Sequence, residues 1–186
     1  MYKVATFYTI NTPYAVEVQH LLESCKQFNI PYICKGLEPR GSWVANCAMK
    51  PEYISSLLQE VDHDILWLDA DAVINSYPIL FDNFDGDIGV HYKDGRELIS
   101  STIYFRNTAN VKRLVALWCH HQKCSPTTWD QKVLQSVINN HAKSLDLKIV
   151  RTPPTYTQIF DLMRGAGVPV ISQYQASRRF KKTVGG

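Results

Sequence analysis

Asp64-Ile65-Leu66-Trp67-Leu68-Asp69-Ala70-Asp71-Ala72-Val73-Ile74 is the stretch on which the fold turns. Its large and β-branched side chains read as a strand, and Ile65 to Leu68 leave no polar face. A strand of that kind belongs in the middle of a sheet covered on both sides. It ends in two carboxylates one residue apart, so it carries charge to the carboxyl edge of the sheet, where open α/β sheets bind ligands. Residues i and i+2 of a strand share a face and lie roughly 6.5–7 Å apart. If the chain turns at Ala70, a divalent ion can take an oxygen from Asp69 and one from Asp71, directly or through water. Two neighbouring buried carboxylates otherwise need hydrogen bonds to offset their desolvation. The pair reads as a metal site.

Two other readings compete. Aspartate is a common cap and turn residue, so the pair can simply tie down a turn. The segment Asp69 to Val73 also satisfies the first motif of haloacid-dehalogenase-type phosphohydrolases, in which Asp69 would be the nucleophile. That motif normally sits on the first strand of its domain, whereas here a long stretch precedes it. Asp85-Gly86-Asp87 follows too closely to be the usual later acidic pair.

At 186 residues, the chain forms one domain with a substantial core. It is 45% hydrophobic and 20% charged, an ordinary globular composition. The formal charge of +3 permits an anionic ligand without demanding nucleic acid. Cys25, Cys34, Cys47, Cys119 and Cys124 are odd in number and contain no Cys-x-x-Cys pair, which fits free thiols in a reducing compartment. Met1 to Val4 already reads as a strand rather than a signal peptide, and no run reaches the length of a membrane span. A cytoplasmic protein is expected.

Outward from the organising stretch, Lys3–Thr9 predicts a strand and Thr12-Pro13 a cap and first-turn proline. Val18, Leu21, Leu22, Cys25 and Phe28 follow at helical spacing, and Tyr32–Cys34 is a second strand. This β-α-β opening predicts a parallel sheet with a right-handed crossover. Pro51 opens a helix with Ile54, Leu57, Leu58 and Val61 inward. Lys93-Asp94-Gly95-Arg96 signals a hairpin between two strands. Thr108 caps a helix that buries Val111, Leu114, Val115 and Trp118. Thr128-Trp129-Asp130-Gln131 has the form of a capping box. Leu147–Val150 reads as a core strand, Ile159–Met163 as a short helix, Val168–Ser172 as a strand, and the last residues as a basic tail. Cys119-His120-His121-Gln122-Lys123-Cys124 brings only His120 and Cys124 to one helix face and has no second ligand pair nearby, so a zinc reading is rejected.

In this order the pieces resemble the nucleotide-diphospho-sugar transferases of the GT-A fold, in the style of the glycogenin-like group. The resemblance is carried by Thr9-Ile10-Asn11-Thr12-Pro13-Tyr14, by Gly41-Ser42-Trp43, Asn46 and Lys50-Pro51-Glu52-Tyr53-Ile54 ahead of Leu68-Asp69-Ala70-Asp71, by Ser100–Thr108, and by Trp129-Asp130-Gln131. It implies a Rossmann-like α/β/α sandwich of three layers, with a mostly parallel central sheet and a small antiparallel hairpin. Residues 1–75 would form the nucleotide-binding half, 76–165 the acceptor-side half and 166–186 a basic C-terminal segment. It implies a glycosyltransferase moving a sugar from a nucleoside-diphosphate sugar, with uridine diphosphate favoured, to an acceptor hydroxyl on a glycan, a lipid, a protein or a hydroxylated base in DNA. Thr9, Asn11, Tyr14, Trp43, Asn46, Lys50, Asp69 and Ser100 are the implied donor contacts, with Asp130 and Gln131 at the reacting face.

Ser101 stands where that family often has glycine. Val170-Ile171-Ser172-Gln173-Tyr174-Gln175 lacks its metal-binding histidine, which leaves Gln173, His91 or water to join Asp69 and Asp71 around the cation. Hard oxygen ligands suit Mn²⁺ or Mg²⁺. Such an ion acts as a Lewis acid on the departing diphosphate. Lys50 and the tail cations Arg178, Arg179, Lys181 and Lys182 are candidates to neutralise the remaining phosphate charge, the tail by closing over the donor or else by staying solvated. Tyr14 and Trp43 either stack on the base or pack within their loops, and Asn11 is equally a turn residue. Asp130 is the choice of base for an inverting reaction.

Overall fold

The computed structural model describes residues 1–181, without the side chains of Arg179 and Lys181; the tail cation Lys182 lies outside the described residues. Alternating and continuous apolar runs form β1 (Tyr2–Thr9), β2 (Tyr32–Leu37), β3 (Asp64–Leu68), β5 (Ile88–Lys93), β6 (Glu97–Phe105) and β7 (Ile149–Arg151), in the sheet order β2-β1-β3-β6-β5-β7. β1 pairs in parallel with β2 and β3, β5 pairs in parallel with β7, and β6 runs against the rest. A second sheet, β4-β9-β8, is built from β4 (Ala72–Ile74), β8 (Gln158–Ile159) and β9 (Ile171–Gln173). This is the expected α/β sandwich with a mostly parallel centre.

β3 shows why the sheet is layered on both faces. Ile65 and Trp67 enter one apolar cluster and Leu66 and Leu68 the other, all of them buried. The first cluster is closed by α3 (Met49–Glu60), α4 (Ala109–Cys124) and α5 (Asp130–His141). The second is closed by α1 (Tyr14–Gln27), the small sheet and an aromatic group in which Phe81 stacks on Tyr104 at 5.6 Å and 3°. Burial of this order drives the fold.

Several local expectations need correction. The stretch from Asp64 to Ile74 is two strands, not one: β3 stops at Leu68, the chain turns with the Ala72 amide donating to the Asp69 carbonyl at 2.9 Å, and β4 leaves for the second sheet. The Ile159–Met163 segment is not a helix; β8 ends at Ile159 and a turn follows, because Gln158 and Ile159 are taken up in pairing with β9. The strand predicted at Val168–Ser172 is β9 and begins only at Ile171. The capping box does not form: α5 starts at Asp130 after Trp129, with no side-chain cap. The hairpin holds, with Asp94 at φ 51° and Gly95 at φ 70° in its turn. Thr108 accepts from the Val111 amide at 3.3 Å as a cap should.

β6 carries the irregularity that shapes the site. Val90 pairs with Ile103 but His91 pairs with Ile99, so Ser100, Ser101 and Thr102 have no partner on β5. A bulge of this kind re-aims side chains at the sheet edge. Trp118, fully buried on α4, donates its indole N–H to the Asp130 carbonyl at 3.2 Å and so ties the start of α5 to the core. Trp118→Ala should cost about 3–5 kcal/mol of stability in a urea titration.

Candidate functional site

The carboxyl ends of β1 and β3, the short helix α2 (Trp43–Cys47) and the start of α3 surround a cleft. Thr9, Tyr14, Trp43, Asn46, Lys50, Asp69 and Asp71, all singled out in the sequence, line it. Asn11 is not among the lining residues; its φ of 57° shows a turn residue. Asn46 also pins the preceding loop, its Oδ1 accepting from the Arg40 amide at 2.6 Å. Trp43 meets the ring of Trp129 edge-on at 5.7 Å.

At the floor of the cleft stands Lys50, which is only 5% exposed. Its Nζ lies 2.9 Å from Asp69 Oδ1 and 3.0 Å from Asp130 Oδ2, and donates to the Ser100 carbonyl at 3.2 Å. Burial works to lower its pKa, but the charges of Asp130 and Asp69 outweigh burial and hold the ammonium above the usual lysine value. Ser100, aimed by the bulge, donates from Oγ to Asp130 Oδ2 at 3.0 Å, and the Trp67 indole donates to Asp69 Oδ1 at 2.9 Å. Asp130 at the first position of α5 therefore spends its carboxylate on the site rather than on capping. Gln131 turns the other way, donating to Glu97 Oε1 at 2.9 Å beside the hairpin.

Asp71, half-buried, accepts the Ala176 amide at Oδ2 over 2.6 Å. Burial and then the charge of Asp69 push its carboxyl up to about 6, against the pull of backbone hydrogen bonds. Two carboxylates thus face the Lys50 ammonium and Asp71 stands beside them, so the site holds an excess of carboxylate over ammonium groups. Gln173 is fully buried; its Nε2 donates to the Ser101 carbonyl at 3.1 Å and to Thr102 Oγ1 at 2.8 Å, while its Oε1 has no hydrogen-bond partner. His91 is engaged with the Thr152 carbonyl at 2.9 Å. Among the described residues no group of three or more His, Cys, Asp or Glu is arranged around a metal position. Two hard carboxylates with surplus charge, close to an orphaned amide oxygen on the adjoining strand, fit a hard divalent cation whose remaining ligands come from substrate or water.

The tail behaves differently from the expectation. Arg178 is bound to Asp161 rather than aimed into the cleft, and the Lys181 side chain lies outside the described residues. Sequence reading missed Trp67 as the indole that orients Asp69, since it looked only like strand core. It also missed Cys47, Gln175 and Ser177 as lining residues, for which no local pattern stood out.

Two outcomes follow from this geometry. Lys50→Met leaves Asp69 and Asp130 without their cation, so the variant should lose about 3–5 kcal/mol in urea denaturation. Asp71 carries a folded pKa above the ordinary aspartate value of 3.8. Between that value and about 6 the native state binds a proton that the unfolded chain does not, so this group's contribution to stability falls as pH rises through that window. In EDTA, Asp71→Asn should therefore raise the melting temperature at pH 7, and the gain should fade as pH drops from 6 to 4.

No curated protein matches the sequence. Among solved structures, the chain is similar to a glycosyltransferase involved in glycosylation of the major capsid of PBCV-1, at 12% identity and TM-score 0.71, covering 98% of this chain and 99% of that one. It is similar to the apo-form glycosyltransferase GlyE of Streptococcus pneumoniae TIGR4 (11%, TM-score 0.62, 94% of this chain and 54% of that one). Mouse xyloside xylosyltransferase 1 is a further structural relative (11%, TM-score 0.56, 95% and 98%). At these identities the likeness is one of fold, and the fold is GT-A. The family described as nucleotide-diphospho-sugar transferase matches residues 46–170, from within the cleft helix α2 to the residue before β9. With that match covering most of the chain, and with Asp69 and Asp71 standing at the ligand edge of the sheet, the chain belongs to the nucleotide-diphospho-sugar transferase family.

Proposed function

We propose that the protein is a metal-dependent glycosyltransferase that takes its sugar from a nucleoside-diphosphate sugar, a uridine diphosphate sugar by resemblance, and passes it to an acceptor hydroxyl. The observation that carries this reading is the cleft itself, which joins aromatic walls, Tyr14 and Trp43, to an acid-rich floor at Asp69 and Asp71. Aromatic walls suit a nucleobase. The floor repels a diphosphate unless a cation intervenes, so surplus carboxylate in a donor cleft favours metal dependence. Asp69 and Asp71 would hold Mn²⁺ or Mg²⁺, with Gln173 Oε1, which lacks a hydrogen-bond partner, as a further candidate oxygen. Such an ion offsets the charge that grows on the departing diphosphate.

The protein's own groups prepare the reaction. Lys50 fixes Asp69 and Asp130 in one orientation, and the Trp67 indole N–H holds the same oxygen of Asp69. Asp130 is better assigned to positioning than to proton abstraction. Its Oδ2 is already engaged by the Lys50 ammonium and the Ser100 hydroxyl. The phosphohydrolase alternative loses its ground, because Asp69 follows the third strand of the sheet and the family match is to sugar transferases.

No helix among the described residues is long and apolar enough to cross a membrane. The five cysteines are all free, as thiols in a reducing compartment would be. Incubation with nucleotide sugars and Mn²⁺ should release nucleoside diphosphate slowly without any acceptor. EDTA should abolish that release, and Asp71→Ala should lower it at least about 100-fold. Turnover unchanged in Asp71→Ala would remove the site assignment.

A further inference from the structure

We propose that the segment from Tyr174 to Lys181 is an internal latch, occupying the donor cleft and competing with the donor for Asp71. The inference rests on the donor reading above and concerns the regulation of that same site. Three contacts seat the latch. The Ala176 amide donates to Asp71 Oδ2 at 2.6 Å, and the Tyr174 amide donates to the Asp71 carbonyl at 3.2 Å. Phe180, on the short helix α6 (Ala176–Lys181), packs edge-on against Tyr14 at 5.4 Å and 79°. Gln175 and Ser177 complete the cleft wall opposite β1 and α2.

The latch therefore touches both ends of the proposed donor site, the aromatic wall and the second carboxylate. What is left between them is a cavity of about 120 Å³. Ligand pockets for molecules of that class run to roughly 300–1,000 Å³. The donor enters only if the segment moves.

The segment is built to move. Gln175 holds φ at 52°, a left-handed conformation that a non-glycine residue keeps only where contacts impose it. α6 has six residues, too few to be stable apart from its contacts. Its outer tie is the ion pair of Arg178 with Asp161, both partly exposed, and such pairs hold weakly. Among the described side chains of the segment only Ala176 is fully buried. Release thus costs little core, while the seated form gives Asp71 an amide donor.

A latch and a closing lid differ in sign, and hydrogen exchange reads the sign. In the full-length protein, calorimetry with Mn²⁺ and uridine, guanosine, adenosine, cytidine and thymidine diphosphates identifies the nucleotide that binds. At saturation with it, amides from Tyr174 to Lys181 should exchange several-fold faster than in the free protein. Phe180→Ala removes one seating contact and should bind the nucleotide about five-fold more tightly, since a smaller share of molecules is latched. Exchange that slows or stays the same, or an affinity of Phe180→Ala equal to or weaker than wild type, overturns the latch and leaves the donor reading standing. Binding of none of the five nucleotides overturns the donor reading, and the latch with it.

Discussion

The architecture of the site depends on one buried ammonium. Lys50 comes from α3, Asp69 from the end of β3, Asp130 from the start of α5 and Ser100 from the bulge of β6, and all four meet at a single nitrogen. An isolated ammonium at that depth would be several kcal/mol too costly to keep. Two carboxylates and a carbonyl make it tolerable, and in return the three oxygen-bearing elements are drawn to one point. The elements that build the cleft floor are held together by charge, whereas the layers beneath are held together by apolar burial. The site is part of the fold's own framework, so its geometry exists before any ligand arrives.

That division also explains what could be read from the sequence. The apolar lead-in from Ile65 to Leu68 determined a central strand, and the β-α-β opening determined its parallel neighbours, because both depend on local periodicity. Asp69 and Asp71 were legible because they sit at the end of that strand. The roles of Asp130 and Gln131 were not. Spacing made Thr128 to Gln131 a capping box, but Lys50, eighty residues earlier, claims the aspartate, and Glu97 on the hairpin claims the glutamine. Long-range charge pairing overrode a local rule, and no local pattern announces such a competitor. Trp67 was hidden for the same reason: its ring belongs to the core cluster, and only its indole N–H, bonded to Asp69, belongs to the site.

The C-terminal segment was the least legible part. As a run of basic residues it suggested phosphate neutralisation, which is a statement about side chains. In the structure its backbone does the work, through the amides of Tyr174 and Ala176. Backbone donors are the same at every position of a sequence, so nothing in the letters Tyr-Gln-Ala distinguishes them from any other loop. The left-handed turn at Gln175 that delivers the Ala176 amide is equally silent, since glycine or asparagine would have signalled it and glutamine does not.

Asp71 links the charge argument to the latch. Beside Asp69 and half withdrawn from water, its carboxylate is disfavoured, which is why its proton is held up to about pH 6. Lys50 is paired by geometry with the other two carboxylates, so Asp71 must find its compensation elsewhere. An amide dipole supplies part of it and a divalent cation would supply far more, because attraction scales with charge at equal distance and dielectric. The same shortage of positive charge therefore does two things. It sets the Ala176 amide on Asp71, and in the proposed latch it makes that amide the weaker of the two partners Asp71 can take.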